Sequence, residues 1–385
     1  MFLFKLLLKN AFRHKLRTLL TMVGLVVAIS AFGLLRTIVD AWYAGVEGSS
    51  GTRLITRSNI SLTFALPLNY AQRLRAVEGV TQVSWSNWFG GVYITERNFF
   101  PQFAVDPATY LAMYPEYKID EAQKLAFMRD RQGVLVGRKL ADKFGWKLGD
   151  QIPLRGTIYP GTWTFTLRAI WDGAEAKTDE SQLLMHWAYL NESIRLRAPR
   201  RADAVGVYIV GIDEPNNAAL VGQRVDALFA NSLAETMTET EAAFQLSFVS
   251  MSEAILVAVR AVSLIIVVII MAVMANTMTM TARERLAEYA TLKALGFSPG
   301  FVVRLLLGES LLIALIGGLA GLLLTVPLAA VFRSAVGTLF PVFQVSGLTM
   351  ALQLAAALGV GLVAAAWPAW RMGRIDIVAG LRHVG

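Results

Sequence analysis

The sequence predicts an α-helical membrane protein with four transmembrane helices plus an extracytoplasmic α/β domain, and three observations predict it. Of 385 residues, 55% are hydrophobic and only 17% charged, where a soluble domain carries about a quarter. Four stretches of at least 18 residues hold no charge: Thr18–Leu35, Ala261–Ala282, Ser310–Phe332 and Ser334–Trp370. The basic excess lies beside those stretches, since 21 Lys and Arg meet 24 Asp and Glu between Asp40 and Glu253, while 15 basic residues meet 4 acidic ones elsewhere. Cations banked against apolar runs mark the cytoplasmic face of a bilayer rather than a nucleic-acid surface. With no cysteine there is no disulfide framework, thiol nucleophile or thiolate metal site. Three scattered histidines, His14, His186 and His383, supply neither a metal cluster nor a supported catalytic base.

The first apolar run is bracketed by Arg17 and Arg36 and is long enough for a helix to cross a hydrocarbon core of about 30 Å. Its basic start and a small-residue site near Ala31 also suit a signal peptide, but the run continues to Leu35, which favours an uncleaved anchor. Four spans leave both termini on one side. Segments 1–17, 281–304 and 371–385 hold twelve Lys and Arg against the single Arg333 between spans three and four, so those segments are expected in the cytoplasm.

The chain then divides into an amphipathic start and first span (1–40), an extracytoplasmic α/β domain (41–253) and three further spans (254–385). In the outer segment, Leu54–Phe64, Val80–Trp85, Val134–Val136, Trp163–Trp171 and Ala204–Gly211 read as extended. Leu68–Val77, Asp120–Arg129, Lys139–Phe144 and Asn216–Ser232 read as helical.

Between spans two and three runs Arg283-Glu284-Arg285-Leu286-Ala287-Glu288-Tyr289-Ala290-Thr291-Leu292-Lys293-Ala294-Leu295-Gly296. Its charged start and Lys-Ala-Leu-Gly ending resemble the cytoplasmic segment of FtsX-like, MacB-type ABC permeases. Gly308-Glu309-Ser310 and Pro368-Ala369-Trp370-Arg371 continue the resemblance, as does Ala379-Gly380-Leu381-Arg382, with Gly380 inserted. Gly133–Ala141 and Leu148-Gly149-Asp150-Gln151-Ile152 resemble the family's periplasmic core domain, and the order of segments matches over nearly the whole chain. The resemblance implies a permease subunit of the mechanotransmission class that works as a dimer, with an identical or related copy, driven by cytoplasmic ATPase subunits that carry ATP and Mg. A MacB-like pump would add a periplasmic adaptor and an outer-membrane channel. A LolC/LolE-like complex would instead release lipoproteins, and an FtsX-like regulator would switch an extracellular hydrolase without transport. An outer segment of this length resembles the exporters more than the regulator.

The residues carry part of this reading unaided. Leu286, Tyr289, Ala290, Lys293 and Ala294 share one helical face, decorated by Arg283, Glu284 and Glu288 and ended by Gly296 and Pro299. Such a helix, 283–296, can dock into a groove on a soluble partner or lie on lipid headgroups; the matching ending favours an ATPase contact through Arg283, Glu284, Arg285, Glu288, Leu292, Lys293, Ala294, Leu295 and Gly296. The start Phe2–Arg13 reads as a second amphipathic helix on anionic lipids. No Gly-x-x-x-x-Gly-Lys-Ser/Thr motif occurs, so ATP hydrolysis is expected in a partner and no cofactor is expected on this chain.

Glu309 is the carboxylate inside a span, within reach of Arg283 or Arg285, and reads as an intramembrane clamp on the coupling segment more than as a proton or substrate site. Arg36 and Arg260 read as snorkelling anchors. Gly317, Gly318 and Gly321 suit close helix packing, and the spans offer few groups to line a polar path. Trp85, Trp88, Phe89, Tyr93, Phe99 and Phe100 around Gly90-Gly91 form either an apolar substrate or partner surface or ordinary core. The expected function is that of a permease that turns ATP hydrolysis elsewhere into motion of its outer domain, for efflux or extraction of peptides, hydrophobic toxins or lipid-linked cargo.

Overall fold

The computed structural model describes residues 2–175, 177–336, 340 and 342–375. The Ala379–Arg382 motif lies outside these residues. Among them the helices are α1 (Phe2–Ala11), α2 (Lys15–Glu47), α3 (Tyr70–Leu74), α4 (Pro107–Met113), α5 (Glu121–Arg129), α6 (Arg138–Phe144), α7 (Trp187–Arg197), α8 (Ala218–Phe229), α9 (Glu241–Ser250), α10 (Glu253–Glu284), α11 (Leu286–Ala294), α12 (Pro299–Val336) and α13 (Gly347–Gly373). The strands are β1 (Arg53–Ser58), β2 (Leu66–Pro67), β3 (Val80–Trp88), β4 (Gly91–Val92), β5 (Gln102–Val105), β6 (Tyr117–Ile119), β7 (Gly133–Gly137), β8 (Gln151–Gly156), β9 (Gly161–Gly173), β10 (Leu183–His186), β11 (Ala204–Val205), β12 (Val207–Ile212) and β13 (Thr236–Thr240). The chain forms two compact units, one of residues 1–40, 252–336 and 343–385 and one of 41–251 and 337–342.

The helical unit contains α10, α12, α13 and most of α2, the four helices long and apolar enough to cross a membrane. Its interior is built from Leu25 and Ile29 of α2, Met274 and Met278 of α10, Ile313 and Ala314 of α12, and Ala357, Val360 and Ala364 of α13. Lipid tails give no hydrophobic drive for helices to associate, so close backbone approach and polar links must hold them. Gly317 faces Leu25, Gly318 faces Ala357 and Gly361 faces Ala314, each so close that an added Cβ would lie under 3 Å from the neighbour. Met280, by contrast, is exposed.

Polar links lie in the same unit. Fully buried Gln353 donates from Nε2 to the Ile29 carbonyl at 2.9 Å and to Thr325 Oγ1 at 2.7 Å, joining α13 to α2 and α12. Farther along α2, Asp40 accepts hydrogen bonds from Thr349 (2.7 Å) and Ser346 (3.1 Å) at the start of α13, and lies beside Arg36. Ser346 also caps α13 by accepting from the Thr349 amide.

The second unit is an α/β domain whose eleven-stranded mixed sheet runs β13-β1-β12-β3-β5-β10-β7-β9-β8-β4, with β6 paired to β9. Two apolar clusters pack on it, one around Phe89, Phe165, Tyr208 and Phe229 and one around Tyr110, Tyr114, Phe127 and Trp171. Local chemistry sets the boundaries. Asp120 caps α5 through the Ala122 and Gln123 amides, and Gly145 ends α6 with φ at +67°. The extended reading of Leu54–Phe64 is too long, because pairing stops at Ser58 and Asn59 turns to bond the Glu235 carbonyl. The segment 283–296 is not one helix either: α10 runs to Glu284, Arg285 leaves helical geometry at ψ 16°, and α11 starts at Leu286.

A Cβ on Gly33 would lie 2.0 Å from Gln353 Nε2, so Gly33→Ala must break the links of Gln353 to Ile29 and Thr325. We expect a loss of about 1–2 kcal/mol, read as a lower melting temperature in detergent, and a double variant with Gln353→Ala that loses less than the two single losses added.

Candidate functional site

The site is built where the ends of α1, α2, α10, α11, α12 and α13 meet. Glu309, nine residues before Gly318 on α12, is 2% exposed, and burying an unpaired carboxylate there would be strongly unfavourable. Its Oε2 accepts from Arg285 Nη1 at 2.9 Å. Arg285, itself 6% exposed, sits at the break between α10 and α11, where a guanidinium can leave the helix axis and reach two carboxylates at once. Its Nε donates to Glu288 Oε2 at 3.0 Å, and its cationic centre lies 5.1 Å from the Tyr289 ring. Glu288 also receives Arg13. One residue before the break, Glu284 holds a bidentate pair with Arg17, both bonds 2.7 Å, with His14 Nε2 at 3.5 Å.

The charges at the break support one another. Although desolvation opposes the charge of both groups, hydrogen bonds from Arg13 and Arg285 hold the Glu288 carboxyl below its ordinary range. Tyr289, Glu288 and Glu309 hold the Arg285 guanidinium above its own.

The far end of α11 is held differently. Lys293 Nζ donates to the carbonyls of Gly373 (2.7 Å) and Ile375 (2.9 Å), placing a cation where the last carbonyls of α13 have no helical partner. Two bonds then close the helix: Gly296, at φ +93°, donates to Lys293, and Phe297 donates to Leu292. Both glycine conformation and bond pattern are those of a Schellman ending. Beneath the helix, Tyr289 joins Val302, Leu305, Leu306, Ala369 and Met372, with Leu286 and Leu292 packed alongside.

This geometry revises several expectations. Leu292 is packed against the helical unit and Lys293 is engaged with α13, so neither is presented for docking. Arg285 is likewise buried, and Glu284 and Glu288 are engaged with Arg17, Arg13 and Arg285. What α11 does present is its end: Ala294, Leu295, Gly296 and the unforeseen Phe297 are exposed, Leu295 to 72%. Arg283 is exposed as well. The roles of Arg13, Arg17 and Lys293 were missed, yet a signal existed. Only four acidic residues lie outside 40–253, and Glu284, Glu288 and Glu309 are three of them, so the neighbouring cations had few other partners.

In the α/β unit the aromatic set separates. Phe89 and Phe100 are fully buried, the first edge-on to Trp163 and Phe165, so they are core and not surface. Trp85 packs edge-on against Trp187, and Tyr93 accepts from Trp146 Nε1 at 3.1 Å. Trp88 and Phe99 remain exposed with ring centres 6.1 Å apart, and Trp88 and the exposed Ile158 both lie close to Gly90.

Arg285→Met leaves Glu309 and Glu288 without their buried cation and is expected to cost about 3–5 kcal/mol, seen as a lower melting temperature in detergent, with most of it regained on adding Glu309→Gln. Because the Glu288 carboxyl is held low, its contribution is present above the ordinary carboxylate range and lost only as pH falls through the lowered value. Protection of α11 amides, corrected for the pH dependence of intrinsic exchange, should therefore be unchanged from pH 7 to pH 5 and fall as pH drops through the lowered value.

Comparison with known proteins places this arrangement. The MacB-like periplasmic core domain model matches residues 18–228, and the FtsX-like permease C-terminal model matches residues 260–377. The pyoverdine export ATP-binding/permease protein PvdT of Pseudomonas savastanoi pv. phaseolicola is 36% identical over 107 residues, 28% of this chain and 16% of PvdT. The same protein from Pseudomonas syringae pv. tomato is 35% identical over 107 residues, with the same shares; the matched segment is thus a small part of those relatives. The periplasmic region of MacB from Actinobacillus actinomycetemcomitans is similar with a TM-score of 0.38 and 10% identity, over 53% of this chain and 95% of that one. The extracellular domain of the ABC-type transporter YknZ from Gram-positive bacteria gives 0.36 and 12%, over 49% and 98%. With one family model covering more than half of the sequence and the other most of its C-terminal third, the chain belongs to the FtsX-like, MacB-type family of ABC-transporter permeases.

Proposed function

We propose that the chain is the membrane subunit of an ATP-driven exporter, coupling hydrolysis in a separate cytoplasmic ATPase to motion of its α/β domain at the outer face of the inner membrane. The observation that carries this reading is α11. It is braced to α12 by Arg285 and Glu309, to the turn between α1 and α2 by Glu288 and Arg13, and to α13 by Lys293, while its Leu295-Gly296-Phe297 end stays exposed and apolar. A force applied at that end reaches two long helices through buried directional bonds rather than through mobile side chains. The exposed Leu295 and Phe297 are the anchors for a groove on the ATPase. The export named for PvdT supports export over switching a hydrolase.

Both termini and α11 are cytoplasmic in this reading, and the α/β domain is external. A second copy, identical or related, completes the permease. Trp88, Phe99 and Ile158 offer the outer domain an exposed apolar patch for cargo or a partner.

Leu295→Asp should place a charge in the ATPase groove at a cost of about 2–5 kcal/mol, reducing co-purification of the ATPase at least tenfold without lowering the melting temperature. Leu292→Asp should instead destabilise the permease itself. Full recovery of the complex with Leu295→Asp would sink the docking assignment.

A further inference from the structure

Glu309 and Arg285 have a counterpart at the other end of the molecule's wiring, inside the α/β unit. Arg53, the first residue of β1, is 6% exposed, and its donors tie its own stretch to two others, three stretches of chain in all. Nε donates to Glu241 Oε2 at 2.8 Å, Nη2 to Glu116 Oε1 at 2.7 Å, and Nη1 to the Met113 carbonyl at 2.9 Å and Glu116 Oε2 at 3.2 Å. Glu241 is as deeply buried and also accepts the Ser50 amide (2.9 Å) and the Tyr114 hydroxyl (3.1 Å). The guanidinium lies 4.2 Å from the Tyr114 ring centre.

The three stretches are not arbitrary. Residues 50–53 follow α2, the first passage of the chain from the helical unit into this one. Glu241 opens α9, which leads to residue 252, where the chain returns to the helical unit. Met113 and Glu116 lie between α4 and β6, on neither passage. From there a stack continues through Tyr110 and Tyr114 (4.4 Å), Tyr114 and Tyr117 (5.4 Å), and Tyr117 and Trp171 (5.0 Å), all within 23° of parallel. Trp171 belongs to β9, which lies six strands from β1 in the sheet order.

We propose that Arg53, with Glu241 and Glu116, is the positioning joint that makes the two chain passages move as one body with the β6–β9 half of the α/β domain. This rests on the export reading only for the source of the motion. Packing alone would be served as well or better by apolar side chains, since a buried ion cluster seldom adds net stability over them. What charged, directional bonds supply is a fixed mutual geometry among segments that arrive from three places. With Glu241 on one side and Glu116 on the other, a displacement of either passage cannot be absorbed locally without breaking a buried ionic hydrogen bond.

The chain has no cysteine, so introduced cysteines report uniquely. Spin labels at Glu47→Cys and Ser250→Cys follow the two passages, and a second pair at Glu47→Cys and Lys118→Cys follows the β6 corner; all three positions are exposed. The full chain, purified with its ATPase in nanodiscs, is measured without nucleotide and with ATP. The variant is Glu116→Gln, which keeps the more deeply buried Arg53–Glu241 pair; Arg53→Lys, which keeps the charge but loses the three-way reach, is made beside it in case the first does not fold. Without nucleotide, we expect either variant to widen the 47–118 distance distribution at least twofold while the 47–250 distribution and the melting temperature stay as in wild type. With ATP, both distances should stay fixed in wild type, as distances within one body must, while in either variant the 47–118 distance should shift and the 47–250 distance should not. An unwidened 47–118 distribution in a folded variant overturns the joint. Absence of any ATP-dependent shift at 47–118 in a variant whose nucleotide-free distribution has widened would overturn the export reading instead, and the nucleotide-free widths would still decide the joint.

Discussion

A carboxylate withdrawn from water into a bundle of apolar helices must meet a cation, and Glu309 meets Arg285. Much of the cytoplasmic end follows from that need. The guanidinium has to stand free of the helix that delivers it, so α10 stops at Glu284 and the chain starts again as α11. A buried guanidinium has more donors than one carboxylate uses, and Glu288 takes the surplus. Glu288 in turn faces Arg13, which brings in the segment ahead of α2. Removing the first carboxylate would leave the buried Arg285 with a donor that has lost its acceptor.

Arg53 shows the same constraint under different surroundings. In both places a buried arginine at the start or break of an element is shared by two glutamates, with a tyrosine ring beneath it; at Arg53 both glutamates are distant in sequence, while at Arg285 one, Glu288, is only three residues on. Neither cluster is explained as a gain in stability, because desolvating three charges offsets most of their mutual attraction. Both are explained as a restriction of geometry, which a hydrophobic contact of equal area does not impose, since dispersion and hydration forces have little direction.

How far the sequence disclosed this depended on the range of the cause. The four membrane helices were legible because hydrophobic length is a local property. So was the helix near Asp120, whose start is fixed by a capping side chain within three residues of the amides it bonds. Glu309 was legible as a charge needing a partner, and Arg285 as one of two in reach, because both lie close to the same turn. Lys293 was misread: its apolar neighbours at helical spacing define a face, but its true partners are the carbonyls of Gly373 and Ile375, eighty residues away. Phe89 and Phe100 were left undecided for the same reason, since composition around Gly90-Gly91 does not say which side of a strand meets the core. The joint at Arg53 went unseen, as no local pattern links positions 53, 116 and 241.

The helices themselves explain why such nodes are placed at their ends. At 1.5 Å per residue, α2 is about 50 Å long and α12 about 57 Å, against a hydrocarbon core of about 30 Å. A helix carries every backbone hydrogen bond along its own axis, so it resists compression and bending over that length, while lateral slip against a neighbour costs only side-chain contacts. Slip is therefore the soft motion of a bundle packed through glycine and alanine, as α12 and α13 are at Gly318 and Gly361. A stiff rod in a slippery bundle transmits displacement only if something at each end converts rod position into a fixed relation with the next element. Directional ionic bonds do that at Arg285 for α11 and α12. The α2 helix runs unbroken to Glu47 and is followed, six residues after its end, by the guanidinium of Arg53.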